Sequence, residues 1–183
     1  THDASATTWK NLVGANAAAY DMTLTANGSF TDTALVSDGK KTAAKGTSPA
    51  VTIGQIEGCY TLDSDKTANS VIYATGLASG GYMDWCIAVL STHRGFLFGG
   101  NTSMFAVGND YSGLHTVSST KSVCHYDGVS DTVTKGANNS FSTSTARMVG
   151  TSAVGGFGDS DTLCAAKVHA IRLYNRVLTS AEA

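Results

Sequence analysis

Short strand-like segments set apart by turn signals limit what this sequence can fold into more than any other feature. Asn27-Gly28, Asp38-Gly39, Gly80-Gly81, Gly99-Gly100, Asn109-Asp110, Asp127-Gly128 and Gly155-Gly156 punctuate it. The segments between them are short and rich in Val, Ile, Thr and aromatic residues. They read as strands: "YDMTLT" (20–25), "TALVS" (33–37), "GCYTLDS" (58–64), "SVIYAT" (70–75), "DWCIAVLS" (84–91), "GFLFG" (95–99), "SMFAVG" (103–108), "LHTVS" (114–118), "KSVCHYDG" (121–128), "ARMVGTS" (146–152) and "CAAKVHAIRLYN" (164–175). Of the 14 acidic residues only Glu57 and Glu182 are Glu; the rest are Asp, which favours turns and caps over helix interiors. The prediction is an all-β chain, a two-sheet antiparallel β-sandwich of about 11–13 short strands with at most a short helical turn. Cys86 to Leu90 is apolar at every position, as a strand buried on both faces is, and Trp85 before it is expected in the core. No linker, composition break or repeat divides the sequence, so residues 1–183 are read as one domain.

Composition excludes several classes of function. Net charge is −2, charged residues make up 14% of the chain, and the few Lys and Arg are scattered. Nucleic-acid binding, which needs a basic stripe, is not expected. Nor is membrane insertion, since no apolar run approaches the length of a span. A surface made polar by Ser, Thr, Asn and Gly points to an extracellular, cell-surface or virion-surface setting. The chain starts at Thr1 and stops one residue after Glu182, in mid-signal for a helix start, so a module of a larger or processed polypeptide is expected.

The closing stretch "KVHAIRLYNRVLTSAEA" carries a resemblance. Val168, Ile171, Arg172, Leu173, Tyr174, Asn175, Arg176, Leu178, Thr179, Ala181 and Glu182 are similar to the closing motif of the laminin-G-like, concanavalin A-like family, which runs close to I-D-E-V-R-I-Y-N-R-A-L-S-A-E-E-I. Trp9, Leu12, Gly14, Asn16, Asp21, Thr23 and Leu24 resemble its opening, with Asn11 where that pattern has Asp, and Tyr126, Asp127 and Gly128 resemble its Y-D-G strand. The resemblance implies a concanavalin A-like jelly roll in which the last strand pairs beside the first. Within the motif, Thr179 and Glu182 have the spacing of a capping box.

The resemblance also implies how hydrolysis would be done. Glycosidases on this sandwich place paired carboxylates about 5 Å apart on one strand, as E-x-D-x-x-E. Glu57 has no acid at the second or fifth following position and reads as an exposed loop or strand-edge acid; Glu182 reads as a cap. Neither a G-x-S-x-G elbow nor H-E-x-x-H occurs, and His2, His93, His115, His125 and His169 have no ligand spacing, His125 and His169 being expected to face outward. An enzyme is therefore not expected. Cys59, Cys86, Cys124 and Cys164 permit two disulfides in three pairings, or four thiols buried as small hydrophobes; their spacing excludes a C-x-x-C zinc site.

Three loops have the chemistry of sugar binding, in which aromatic rings stack on sugar faces and Asp or Asn holds hydroxyls. "GGYMDW" offers Tyr82 and Asp84, "GNDYSG" offers Asn109, Asp110 and Tyr111, and "GGFGDSD" offers Phe157 with Asp159 and Asp161. The Asp159-x-Asp161 spacing suits an oxygen-coordinated cation such as Ca²⁺. The expected function is a non-catalytic recognition module that binds carbohydrate or a cell surface through its end loops. The alternatives are a decoration or tail-fibre component of a virion or surface assembly, in which oligomers form, and a glycoside hydrolase. Expected partners are a glycan or a cell-surface or virion protein.

Overall fold

The structure is a computed structural model that describes residues 3–12, 17–47, 53–63, 70–77, 85–90, 93–99, 102–107, 112–120, 123–130, 134–135, 151–155 and 164–182. In chain order its strands are β1 (Thr8–Trp9), β2 (Met22–Leu24), β3 (Gly28–Phe30), β4 (Leu35–Asp38), β5 (Ala44–Thr47), β6 (Gln55–Leu62), β7 (Ser70–Leu77) and β8 (Trp85–Leu90). There follow β9 (His93–Gly99), β10 (Thr102–Val107), β11 (Gly113–Thr120), β12 (Cys124–Tyr126), β13 (Val129–Ser130), β14 (Thr134–Lys135), β15 (Thr151–Val154) and β16 (Ala165–Tyr174). One 3-10 turn, Ala17–Tyr20, is the only helical element among the described residues.

Two antiparallel sheets form a β-sandwich, as the turn spacing implies. Among the described residues one has nine strands in the order β1-β2-β5-β15-β7-β8-β9-β10-β14, the other seven in the order β13-β12-β11-β6-β16-β4-β3. The last strand does not pair beside the first. β16 lies between β6 and β4, whereas β1 pairs with β2 at the edge of the other sheet. At ten residues β16 is the longest described strand, and it bonds along both edges, which a closing edge strand does not.

The core is built by period-2 alternation. From the seven-stranded sheet come Leu35, Ile56, Tyr60, Leu62, Val117 and Val168; from the nine-stranded sheet come Tyr73, Trp85, Ile87, Val89 and Val154. Trp85 is buried as expected, and residues 85–89 are buried at every position, so the segment read as apolar on both faces is buried on both. Between the sheets, Gly58 meets Ile87: a Cβ at position 58 would lie 2.5 Å from Ile87 Cδ1. The four cysteines are thiols and not disulfides, with Cys86, Cys124 and Cys164 buried.

Asp127-Gly128 makes the tight turn its sequence signals. Both residues have positive φ, 51° and 75°, as a two-residue type I′ hairpin needs, and Tyr126 pairs with Val129 across it. The Asp127 carboxylate accepts from the Thr116 N–H at 2.8 Å and lies 2.9 Å from Nδ1 of buried His115. The hairpin is thereby fixed against β11.

Ile87→Ala removes a fully buried side chain from the sheet–sheet contact, and is expected to destabilise the chain by about 2–5 kcal/mol in urea denaturation. A loss below ~1 kcal/mol would mean that the two sheets do not pack through this residue.

Candidate functional site

Alternation that sends Ile56, Gly58, Tyr60 and Leu62 of β6 into the core sends Gln55, Glu57, Cys59 and Thr61 to the other face. Strand register then lines up polar side chains across four strands. His125 of β12 lies opposite Ser118 of β11, Ser118 opposite Glu57, and Glu57 opposite Arg172 of β16. The adjacent row is Thr116, Cys59 and Ala170. These two rows line an open groove of about 420 Å³, bordered by Gly128 of the hairpin turn, within the size range of small-molecule sites.

Glu57 is the most tightly held group in the groove. Its Oε2 accepts from the Tyr174 hydroxyl at 2.9 Å and its Oε1 from Gln55 Nε2 at 3.0 Å. Arg172 Nη1 lies 3.6 Å from Oε2; the Glu57 side chain is 18% exposed and that of Arg172 68%. Glu57 is thus a half-buried acid at the centre of a sheet, not the exposed loop or edge acid its sequence context suggests. The reason is the length of β6, which starts at Gln55 and puts Glu57 in its third position.

Gln55 links this site to the chain's last residues. It is buried, and its amide nitrogen donates to Ser118 Oγ at 3.1 Å as well as to Glu57. Its amide oxygen accepts from the Leu178 N–H at 2.9 Å. Every buried polar atom of that amide therefore has a partner. Beyond Leu178, Arg176 grips Glu182 in a bidentate pair at 2.8 and 2.7 Å, while the Thr179 N–H and hydroxyl donate to Glu182 Oε2 at 3.0 and 2.8 Å. The capping contact read from the motif does form, and it closes a turn over 180–182.

Protonation follows from these contacts. Arg176, then the Thr179 N–H and hydroxyl, hold the Glu182 carboxyl well below the usual carboxylate range. Burial, then the hydrogen bond to the Glu57 carboxylate, raises the Tyr174 phenol, with Arg172 partly opposing. Tyr174 therefore stays a neutral donor that fastens Glu57. Burial likewise raises the Cys59 thiol, which favours its neutral form. Among the described residues no three His, Cys, Asp or Glu side chains gather as a metal site would require.

None of the site residues read from the loops can be placed. Tyr82, Asp84, Asn109, Asp110, Tyr111 and Phe157, with the cation candidates Asp159 and Asp161, lie outside the described residues. His125 is exposed on β12 as expected, and His169 is half-buried, bonded to Thr61 Oγ1 at 2.9 Å. Gln55, Ser118, Arg172 and Tyr174 escaped as site residues, although the polar positions 55, 57, 59 and 61 carry a readable period of two.

No family model matches the chain, and neither does any curated protein. Solved structures do match. A Trypanosoma rangeli sialidase in complex with sialic acid superposes with a TM-score of 0.70 at 17% identity, over 99% of this chain and 31% of that one. A mutant of the T. rangeli enzyme displaying trans-sialidase activity gives 0.62 at 16% identity, over 99% and 31%. T. rangeli sialidase itself gives 0.65 at 18%, over 99% and 30%. At these identities the likeness is one of fold, and the chain spans about a third of the length of the sialidases it matches.

These neighbours correct two expectations, that the chain is a non-catalytic recognition or adhesion module and that it is no enzyme. The exclusion rested in part on the missing E-x-D-x-x-E pattern, and that pattern does not bear on enzymes of the neighbours' kind. Sialidases attack with a tyrosine and fall outside the paired-carboxylate rule.

Two measurements check the site's construction. Gln55→Leu strips the part-buried Leu178 N–H of its acceptor and Glu57 of a donor, and should destabilise the chain by about 1–3 kcal/mol on chemical denaturation. A neutral outcome would mean that solvent replaces the amide. A carboxyl whose folded pKa is depressed adds stability above its unfolded pKa and loses it only as pH falls through the folded one. In an NMR titration Glu182 should therefore still be ionised at about pH 4, near the midpoint of an ordinary Glu. An ordinary midpoint would mean that the Arg176 grip does not persist in solution.

Proposed function

We propose that this chain is the sandwich unit of a sialidase-type glycoside hydrolase that works outside the cell. In this reading it is a concanavalin A-like unit that keeps glycan against the outward face of its seven-stranded sheet. The superposition on T. rangeli sialidase over 99% of the chain, TM-score 0.70, is the observation that carries the reading. The groove chemistry is compatible with it. Glu57 accepts hydrogen bonds, Arg172 is exposed enough to donate them, and Ser118 and Thr116 add hydroxyls between strands.

The test uses the polypeptide that carries this chain, with sialyl-lactose as substrate and free sialic acid as the readout. Release of sialic acid is expected. Arg172→Ala should raise KM by roughly 3- to 10-fold and leave kcat nearly unchanged, because the groove holds glycan away from the bond that breaks. No release from sialyl-lactose would sink the proposal.

A further inference from the structure

We infer that the groove binds a neutral sugar through a vicinal diol and disfavours the anionic sugar of a sialylated glycan. The inference rests on the glycan reading above and names the sugar class for the same site.

The hydrogen-bonding capacity left open in the groove is what selects the ligand. A carboxylate has about four acceptor sites. In Glu57 one oxygen takes the Tyr174 hydroxyl and the other takes Gln55 Nε2, so each oxygen keeps capacity for a further donor. Adjacent sugar hydroxyls supply two donors at the spacing of the two carboxylate oxygens. Ser118 Oγ already accepts from Gln55 Nε2, which leaves its own proton to give to a sugar oxygen. Arg172, exposed and 3.6 Å from Glu57, can donate to the same hydroxyl oxygens. Diol donors meet the carboxylate, and diol acceptors meet the serine and the guanidinium.

An anionic sugar fits these groups poorly. Its carboxylate would lie beside that of Glu57, whose charge offsets that of Arg172 across the β6–β16 pair. Glu57 cannot swing clear, because Tyr174 and Gln55 fasten both its oxygens. No Trp, Tyr or Phe lines the groove among the described residues, so hydrogen bonding must supply the selectivity.

The experiment follows backbone amide NMR shifts of the chain titrated with methyl galactoside, methyl mannoside and N-acetylneuraminic acid. A neutral sugar is expected to move the amides of Glu57, Ser118 and Arg172 along a saturable curve, with N-acetylneuraminic acid binding more weakly. Glu57→Gln should weaken the neutral sugar about tenfold and narrow the gap between neutral and anionic sugars. Ser118→Ala, on the sheet's outer face, should weaken it without touching the charge and guards against misfolding of the first variant. Silence from every neutral sugar, or tighter binding of N-acetylneuraminic acid, would overturn the inference. Sialic acid release by the parent polypeptide is scored separately. Release without neutral-sugar binding removes this inference alone, whereas neutral-sugar binding without release removes the hydrolase reading and leaves the groove's selectivity standing.

Discussion

The pairing of β16 with β6 in the middle of the seven-stranded sheet is the contact on which the remaining structure depends. It joins residues 117 apart in sequence, as Tyr174 and Glu57 show. On the inner side it sets Val168 beside Tyr60 in the core. On the outer side it sets Arg172 opposite Glu57. One backbone register therefore serves both stability and site. A slip by one residue would turn the apolar set outward and disperse the groove at the same time.

The closing motif has a physical role that its sequence does not announce. Tyr174 fastens Glu57, and the Leu178 N–H caps the Gln55 amide that also holds Glu57. The Arg176–Glu182–Thr179 bracket turns the chain just past Leu178. Exposed ion pairs of this kind add little stability. Their service here is geometric, since the tail that covers Gln55 leaves the groove face with a fixed acid at its centre.

The sialidase neighbours and the groove bear on different questions. Superposition concerns the path of the backbone, and at 16–18% identity it carries no residue across. The groove concerns side chains, and it arises from alternation on β6, β11, β12 and β16 of this chain. A missing carboxylate pattern does not by itself exclude hydrolysis, because one reaction class reaches the same bond cleavage with a different nucleophile.

Much of the fold was legible because its causes are local. Turn residues, period-2 alternation and the scarcity of Glu required short antiparallel strands, and they located the buried Trp85 segment and the Asp127-Gly128 hairpin. The strands that escaped were those with weak local signals. β5, "AKGT", lacks a β-branched run and is a strand because β2 and β15 flank it; its Gly46 passes so close to Asp21 that a Cβ would lie 2.7 Å from the carbonyl oxygen.

What the sequence determined by itself was the kind of layers and which residues they bury, since alternation and turn chemistry act over a few neighbours. Tertiary structure alone decided that β16 sits between β6 and β4 and not beside β1. It alone brought Gln55, Glu57, Ser118, Arg172 and Tyr174 together, because strand order is a choice among distant partners that alternation leaves equal. Closing loops of a hundred residues and more is repaid only by the completed core, so the site's composition was settled by the same global packing that settled the sheet.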